Sequence, residues 1–196
     1  MSRKLLITGF DPFGGQTVNP AWEAVKNLPD FVGDFALCKL MIPTIFGEAP
    51  RAVLKKAEEW QPDLILCVGQ AGGRSAVTPE RIAVNIQDAR IPDNAGNQPI
   101  GQFVAANGPA AYFSTLPVMA MADAIRQKNI PATVSNSAGA FVCNDVLYSL
   151  LHHFDGTSVK VGFIHVPYLP QQGQPSLPLA QIIDALCAAI EACGSL

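Results

Sequence analysis

Charge is scarce in this chain. Of its 196 residues only 15% are Asp, Glu, Lys or Arg, and they sum to −3 at pH 7. No cluster of Lys and Arg occurs, so binding to nucleic acid or to an acidic lipid surface is not expected. Long apolar runs are missing too, and nothing approaches the roughly 18 residues that a membrane-spanning helix requires. The opening Met1-Ser2-Arg3-Lys4-Leu5-Leu6-Ile7-Thr8-Gly9 is interrupted by Gly9 and reads as a first buried strand, not a signal peptide. The nucleotide-cradling patterns GxxxxGK(S/T) and strand-GxGxxG are absent. Cysteines stand at Cys38, Cys67, Cys143, Cys187 and Cys193, an odd count with no CxxC pair. That argues against a disulfide framework and against a zinc site, and it points to a reduced, cytoplasmic protein.

Apolar residues make up 49% of the chain, and 196 residues suffice for one domain, 1–196, with a full core. Strand-like runs at 5–8, 35–42, 64–68, 132–135 and 159–166 alternate with helical spacing at 21–28, 48–60, 118–128, 145–154 and 179–193. Asn19 followed by Pro20 marks a helix start. Such alternation predicts an α/β fold built on βαβ crossovers, with helices on both faces of a mostly parallel sheet. Residues 81–88 alternate apolar and polar side chains, as an inserted antiparallel strand or hairpin would. Residues 91–111, rich in Pro, Gly and Asn, read as a long surface excursion.

Open α/β sheets bind ligands beyond the carboxyl ends of their strands. Four stretches lie there: 9–15, 69–74, 136–143 and 165–168. The third ends on Cys143, at a strand-to-helix junction where unpaired N–H groups favour thiolate over thiol. A thiol nucleophile needs a base. His152 and His153 lie more than two helical turns on, about 14 Å at 1.5 Å per residue, and suit a helix C-terminus. His165 ends a strand on the same sheet edge as Cys143 and is the candidate base. Glu80 could orient the imidazole, or it could be a surface carboxylate paired with Arg81. Phe10 and Phe13 flank a loop at the ligand edge and suit an apolar pocket wall. Cys38 and Cys67 sit in strand-like runs and read as core thiols. Cys187 and Cys193 fall on the last helix, where packing or a surface position explains them.

These residues resemble pyroglutamyl peptidase I (pyrrolidone-carboxylate peptidase), a family of cysteine peptidases. Gly69-x-x-Gly72 leads into Val77-Thr78-Pro79-Glu80-Arg81-Ile82-Ala83-x-Asn85. A second motif runs from Ile130-x-Ala132-x-Val134-Ser135 through Ser137-Ala138-Gly139-x-Phe141-Val142-Cys143-Asn144. Thr8-Gly9-Phe10-Asp11-Pro12-Phe13-Gly14-Gly15 with Asn19-Pro20, Ile91-Pro92-Asp93-Asn94, and His165-Val166-Pro167-Tyr168-Leu169-Pro170 are also similar. The likeness runs colinearly from about Leu5 to Pro170. Ala140 departs from the expected small hydroxyl residue, and nothing beyond Gln171 matches.

The resemblance implies a three-layer α/β/α sandwich with an open mixed sheet, commonly in a homotetramer. It also implies removal of an N-terminal pyroglutamyl (5-oxoproline) residue from peptides. Cys143 would be nucleophile, His165 general base and acid, and Glu80 the group orienting His165. Substrate-pocket positions fall on Phe10, Phe13, Gln70, Ile91, Phe141 and Val142. The backbone N–H of Cys143 and a second donor near Arg90 would hold the oxyanion. No metal or organic cofactor is expected. Two other readings stay open. One is a phosphorylase-like glycosyl transferase, with phosphate at the glycine loops and Cys143 dispensable. The other is a binding module that holds its ligand without turnover.

Overall fold

The sheet positions everything else. The computed structural model describes residues 2–195, in the order β1 (Arg3–Phe10), α1 (Pro20–Lys26), β2 (Phe31–Val32), β3 (Phe35–Ile42), α2 (Glu48–Trp60), β4 (Leu64–Gln70), β5 (Thr78–Pro79), β6 (Ile82–Val84), β7 (Ala111–Phe113), α3 (Val118–Gln127), α4 (Val142–His153), β8 (Lys160–Val166) and α5 (Leu179–Ala192). Among the described residues, six strands form one sheet in the order β2-β3-β1-β4-β8-β5. Its four central strands are parallel, while the short β2 and β5 run antiparallel at the two edges. This is the expected open, mostly parallel mixed sheet.

Strand alternation sorts the core into two halves. Leu5 and Ile7 of β1, Leu64, Leu66 and Val68 of β4, and Ile164 and Val166 of β8 pack under α1, α3 and α5. Leu6 and Phe10, Ile65 and Cys67, and Val161 and Phe163 pack under α2 and α4 on the opposite face. Three layers result, as the resemblance implied. At the start of α1 the Asn19 side chain accepts the Ala21 N–H at 3.0 Å, with Pro20 at the first helical position.

Three expectations need correction. The strand expected at 132–135 is reduced to isolated parallel bridges at Ala132 and Ser135, beyond the outermost strand, β5. The inserted hairpin has no tight turn: β6 pairs antiparallel with the distant β7, and the 91–111 excursion lies within their connection. The helix expected at 145–154 begins earlier, at Val142, so Cys143 is its second residue. No helix among the described residues is long and apolar enough to cross a membrane.

Candidate active site

Alternation on three neighbouring strands brings the candidates together. On β8, His165 shares the face of Phe163 and Val161, which lies under α4. Its partner on β4 is Gly69. On the other side, Thr78 of β5 lies opposite His165 in antiparallel register. Glu80, two residues on, therefore falls on the same face, diagonal to His165. Its backbone N–H bonds the Phe163 carbonyl at 2.9 Å, which fixes it there. His165 Nδ1 and Glu80 Oε1 are 2.7 Å apart, and both residues are buried.

Above this sheet stands the start of α4. The Cys143 sulfur lies over Gly69, so close that a Cβ built there would sit 2.9 Å from it. Gly69 is the register partner of His165, so sulfur and imidazole border the same cavity. Residues flanking the thiol turn elsewhere and hold α4 in place. Asn144 accepts the Val84 N–H at 2.9 Å and donates to the carbonyls of Val84 and Ile86 at 2.8 and 3.0 Å. Asp145 accepts the Gly47 N–H at 2.9 Å and the Gln87 amide at 2.8 Å.

Electrostatics correct one expectation. Burial, reinforced by the negative charge of Glu80, pushes the Cys143 thiol up to about 12. Burial also lowers His165 below the usual imidazole value, against the pull of Glu80. Both directions favour the uncharged thiol and imidazole, against the pull of the helix terminus on the sulfur. A half-charge at a helix end does not offset desolvation of an ionised sulfur. Glu80 itself lies below the ordinary carboxylate range, because bonds from His165 and Arg74 outweigh its burial.

A cavity of about 650 Å³ opens onto the sulfur and imidazole, with Phe13, Gln70, Arg90, Ile91 and Phe141 in its wall. Phe13 packs on Phe141, which meets Phe46 edge-on. Phe10 and Val142, the other two expected pocket residues, contribute no exposed surface to it. Both are buried in the core half beneath α2 and α4, Phe10 against Phe163, because β1 alternation and the first turn of α4 turn them inward. Ile91 reaches the wall because Asp93 pins its loop. That carboxylate accepts the N–H groups of Phe46, Ala95 and Asn97 and the Asn97 amide, at 2.8–3.0 Å.

His152 and His153 are remote, in the last turn of α4, where His152 bonds the Tyr112 hydroxyl at 2.8 Å. Glu80 has no dealings with Arg81, whose guanidinium goes to Met119. It pairs with Arg74, which sequence reasoning passed over, at 2.6 Å. Gln172 was missed as well: it lies in the unmatched tail, yet its amide bonds Gln70 Oε1 at 3.1 Å. No group of three or more His, Cys, Asp or Glu among the described residues is placed to hold a metal ion.

A family model described as pyroglutamyl peptidase matches residues 3–195. The chain belongs to the pyroglutamyl peptidase family. The pyrrolidone-carboxylate peptidase of Bacillus licheniformis is 53% identical over 194 residues, which is 95% of this chain and 90% of that one. That of Levilactobacillus brevis is also 53% identical, over 96% of each chain. Among solved structures, pyroglutamyl peptidase I of Bacillus amyloliquefaciens superposes with a TM-score of 0.95 at 44% identity, over 100% of this chain and 98% of the other. A mutant pyrrolidone carboxyl peptidase from Pyrococcus furiosus gives 0.93 at 41% identity, over 97% of each. Pyroglutamyl peptidase membership therefore extends through α5, past the point where the sequence motifs ended.

Proposed function

We propose that this member of the pyroglutamyl peptidase family cleaves an N-terminal 5-oxoproline residue from peptides, through a Cys143-His165-Glu80 triad and a thioester. The observation that carries the reading is the buried Glu80–His165 contact at 2.7 Å beside a cavity that His165 and Cys143 both line. Ionised Glu80 accepts from Nδ1–H, which leaves Nε2 as the basic atom. As the sulfur attacks the scissile carbonyl, its proton passes to Nε2. The developing oxyanion meets the Cys143 N–H, one of the donors that the first turn of a helix leaves unpaired, with a second donor at Arg90. Collapse breaks the C–N bond, and the leaving amine takes the proton from Nε2. Water, deprotonated by the same nitrogen, then hydrolyses the thioester and regenerates the thiol.

Pyroglutamate is a neutral lactam with one N–H donor and one carbonyl acceptor. Phe13, Phe141 and Ile91 offer apolar contact to its methylenes. Gln172 occupies Gln70 Oε1, which leaves the Gln70 amide N–H groups for the lactam carbonyl. A charged α-amine would be buried without a partner and rejected. The five cysteines are free thiols, which suits a reducing cytoplasm. Exposed Ile100, Phe103 and Phe113 suit a homo-oligomer.

Hydrolysis of a chromogenic pyroglutamyl amide, with the prolyl amide as control, tests the reading. Iodoacetamide should abolish turnover in step with alkylation of Cys143, and Cys143→Ala should be inactive but folded. Activity surviving in that variant refutes the covalent route and favours a transferase. Tight binding of pyroglutamyl peptide by wild type without turnover favours a binding module.

A further inference from the structure

Glu80 is fully buried, and its two short bonds converge on one oxygen. Oε1 takes the bond from His165 Nδ1 at 2.7 Å and one from Arg74 Nη1 at 2.6 Å. Oε2 has no partner in good hydrogen-bond geometry, and the Ser135 hydroxyl, which also helps to lower the carboxyl, bonds the Ser137 carbonyl at 3.1 Å. A buried carboxylate facing only a neutral imidazole would be an uncompensated charge and would ionise only at a higher pH. Protonated, it could no longer hold the imidazole in the tautomer that leaves Nε2 basic.

Arg74 supplies the compensating charge from a loop at the end of β4. Its guanidinium is itself held at three points: Glu80, the Thr78 hydroxyl at 2.5 Å and the Ser137 carbonyl at 3.0 Å. The side chain is 30% exposed. Its outer side borders a second hollow of about 550 Å³ that also includes Ser75, Thr133 and Asn136. The charge is therefore hydrated on one flank and presses on the buried carboxylate with the other.

We propose that Arg74 is a positioning residue of this site: its guanidinium, anchored on Thr78 and Ser137, pins the Glu80 carboxylate, ionised, against the His165 N–H and offsets the field of Glu80 at the Cys143 sulfur. The proposal rests on the triad reading above. The charged or titratable groups facing His165 are Glu80, Arg74 and Cys143, with Asp88 and Arg90 in the same cavity wall. Glu80 raises both His165 and Cys143, whereas Arg74 lowers both. Without Arg74, each group would ionise at higher pH.

The test compares Arg74→Gln and Arg74→Lys by kcat, KM and pH profile on a pyroglutamyl amide. A second readout needs no substrate: the pH dependence of Cys143 alkylation by iodoacetamide, followed by peptide mass. Arg74→Gln should lose about tenfold to a hundredfold in kcat, the range typical when an outer partner of a reactive group is removed, with KM little changed. Its acid limb and its alkylation curve should both move to higher pH. Arg74→Lys keeps the charge and should keep both positions, but its single ammonium cannot span Glu80, Thr78 and Ser137, so kcat stays low. Wild-type kcat and acid limb in Arg74→Gln overturn the proposal. A rise in KM alone makes Arg74 a substrate ligand, and full kcat in Arg74→Lys shows that a point charge suffices; either result overturns it as well. Should Arg74→Gln not fold, Arg74→Lys and Thr78→Val carry the test, and wild-type turnover in both overturns it. If wild-type protein cleaves no pyroglutamyl amide, the functional reading falls. An alkylation curve that is then identical in wild type and the folded Arg74 variants takes the role of Arg74 with it.

Discussion

Replacing Gly69 by Ala probes the site where it is tightest. A methyl group on that Cα would sit 2.7 Å from Phe163 Cζ and 2.9 Å from both Phe163 Cε1 and the Cys143 sulfur. Comfortable heavy-atom contacts begin near 3.5 Å, so each neighbour must retreat by about 0.6–0.8 Å. Phe163 is 1% exposed and packs on Phe10 and His165, and overfilling such a place costs about 1–3 kcal/mol. The sulfur yields more easily, by rotating about χ1, and that changes its position relative to the imidazole. A displacement near 1 Å in a reacting group can cost about a hundredfold. Gly69→Ala should therefore fold with a lowered urea midpoint and lose about two orders of magnitude in kcat. Steady-state hydrolysis and equilibrium unfolding on the same preparation check both numbers. Unchanged turnover together with unchanged stability would refute the claim that the sulfur rests on that glycine.

Three further outcomes are expected. Glu80→Gln should keep the fold and lose about a hundredfold to ten-thousandfold in kcat, since a neutral amide no longer enforces the tautomer; wild-type kcat would return Glu80 to a structural role. Asp93→Ala removes four bonds to one carboxylate and frees the Ile91 loop, so KM should rise while thermal unfolding shifts down by several degrees; an unchanged KM would separate the loop from substrate. The thiols of Cys67, Cys143 and Cys193 are each pushed up to about 12 from 9.0, so the unfolded chain releases three protons that the native state retains. Stability should therefore fall as pH rises above about 9, and Cys143→Ala should flatten part of that slope in urea titrations between pH 8 and about 11.

The reach of sequence reasoning followed the strength of each local signal. Residues 48–60 have clear helical spacing, and α2 has those bounds. The start of α4 was placed three residues late because Phe141 and Val142 provide no side-chain cap, and Asp145 looked like a better beginning. Two- and three-residue strands such as β2, β5 and β7 carry too few residues for alternation to register. Val134 and its neighbours have strand chemistry, but they lie outside β5, where only two bridges form. Cys143, His165 and Glu80 could be named because their motifs are long. Arg74 and Gln172 act through other side chains, and no spacing pattern marks such contacts.

Three consecutive residues of α4 divide the labour of the site. Cys143 faces the cavity, while Asn144 and Asp145 tie down β6, Gln87 and the loop at Gly47. Phe46, beside that loop, is the edge-on neighbour of Phe141 in the ring wall. In the proposed mechanism, reactive atom and specificity surface are therefore bolted to a single helical turn. Attempts to retool this wall for bulkier first residues will drag the sulfur along if they begin at Phe141 or Phe46. Phe13 and Ile91 are carried outside α4, but Asp93 ties the Ile91 loop to the Phe46 N–H, so Phe13 is the better place to begin.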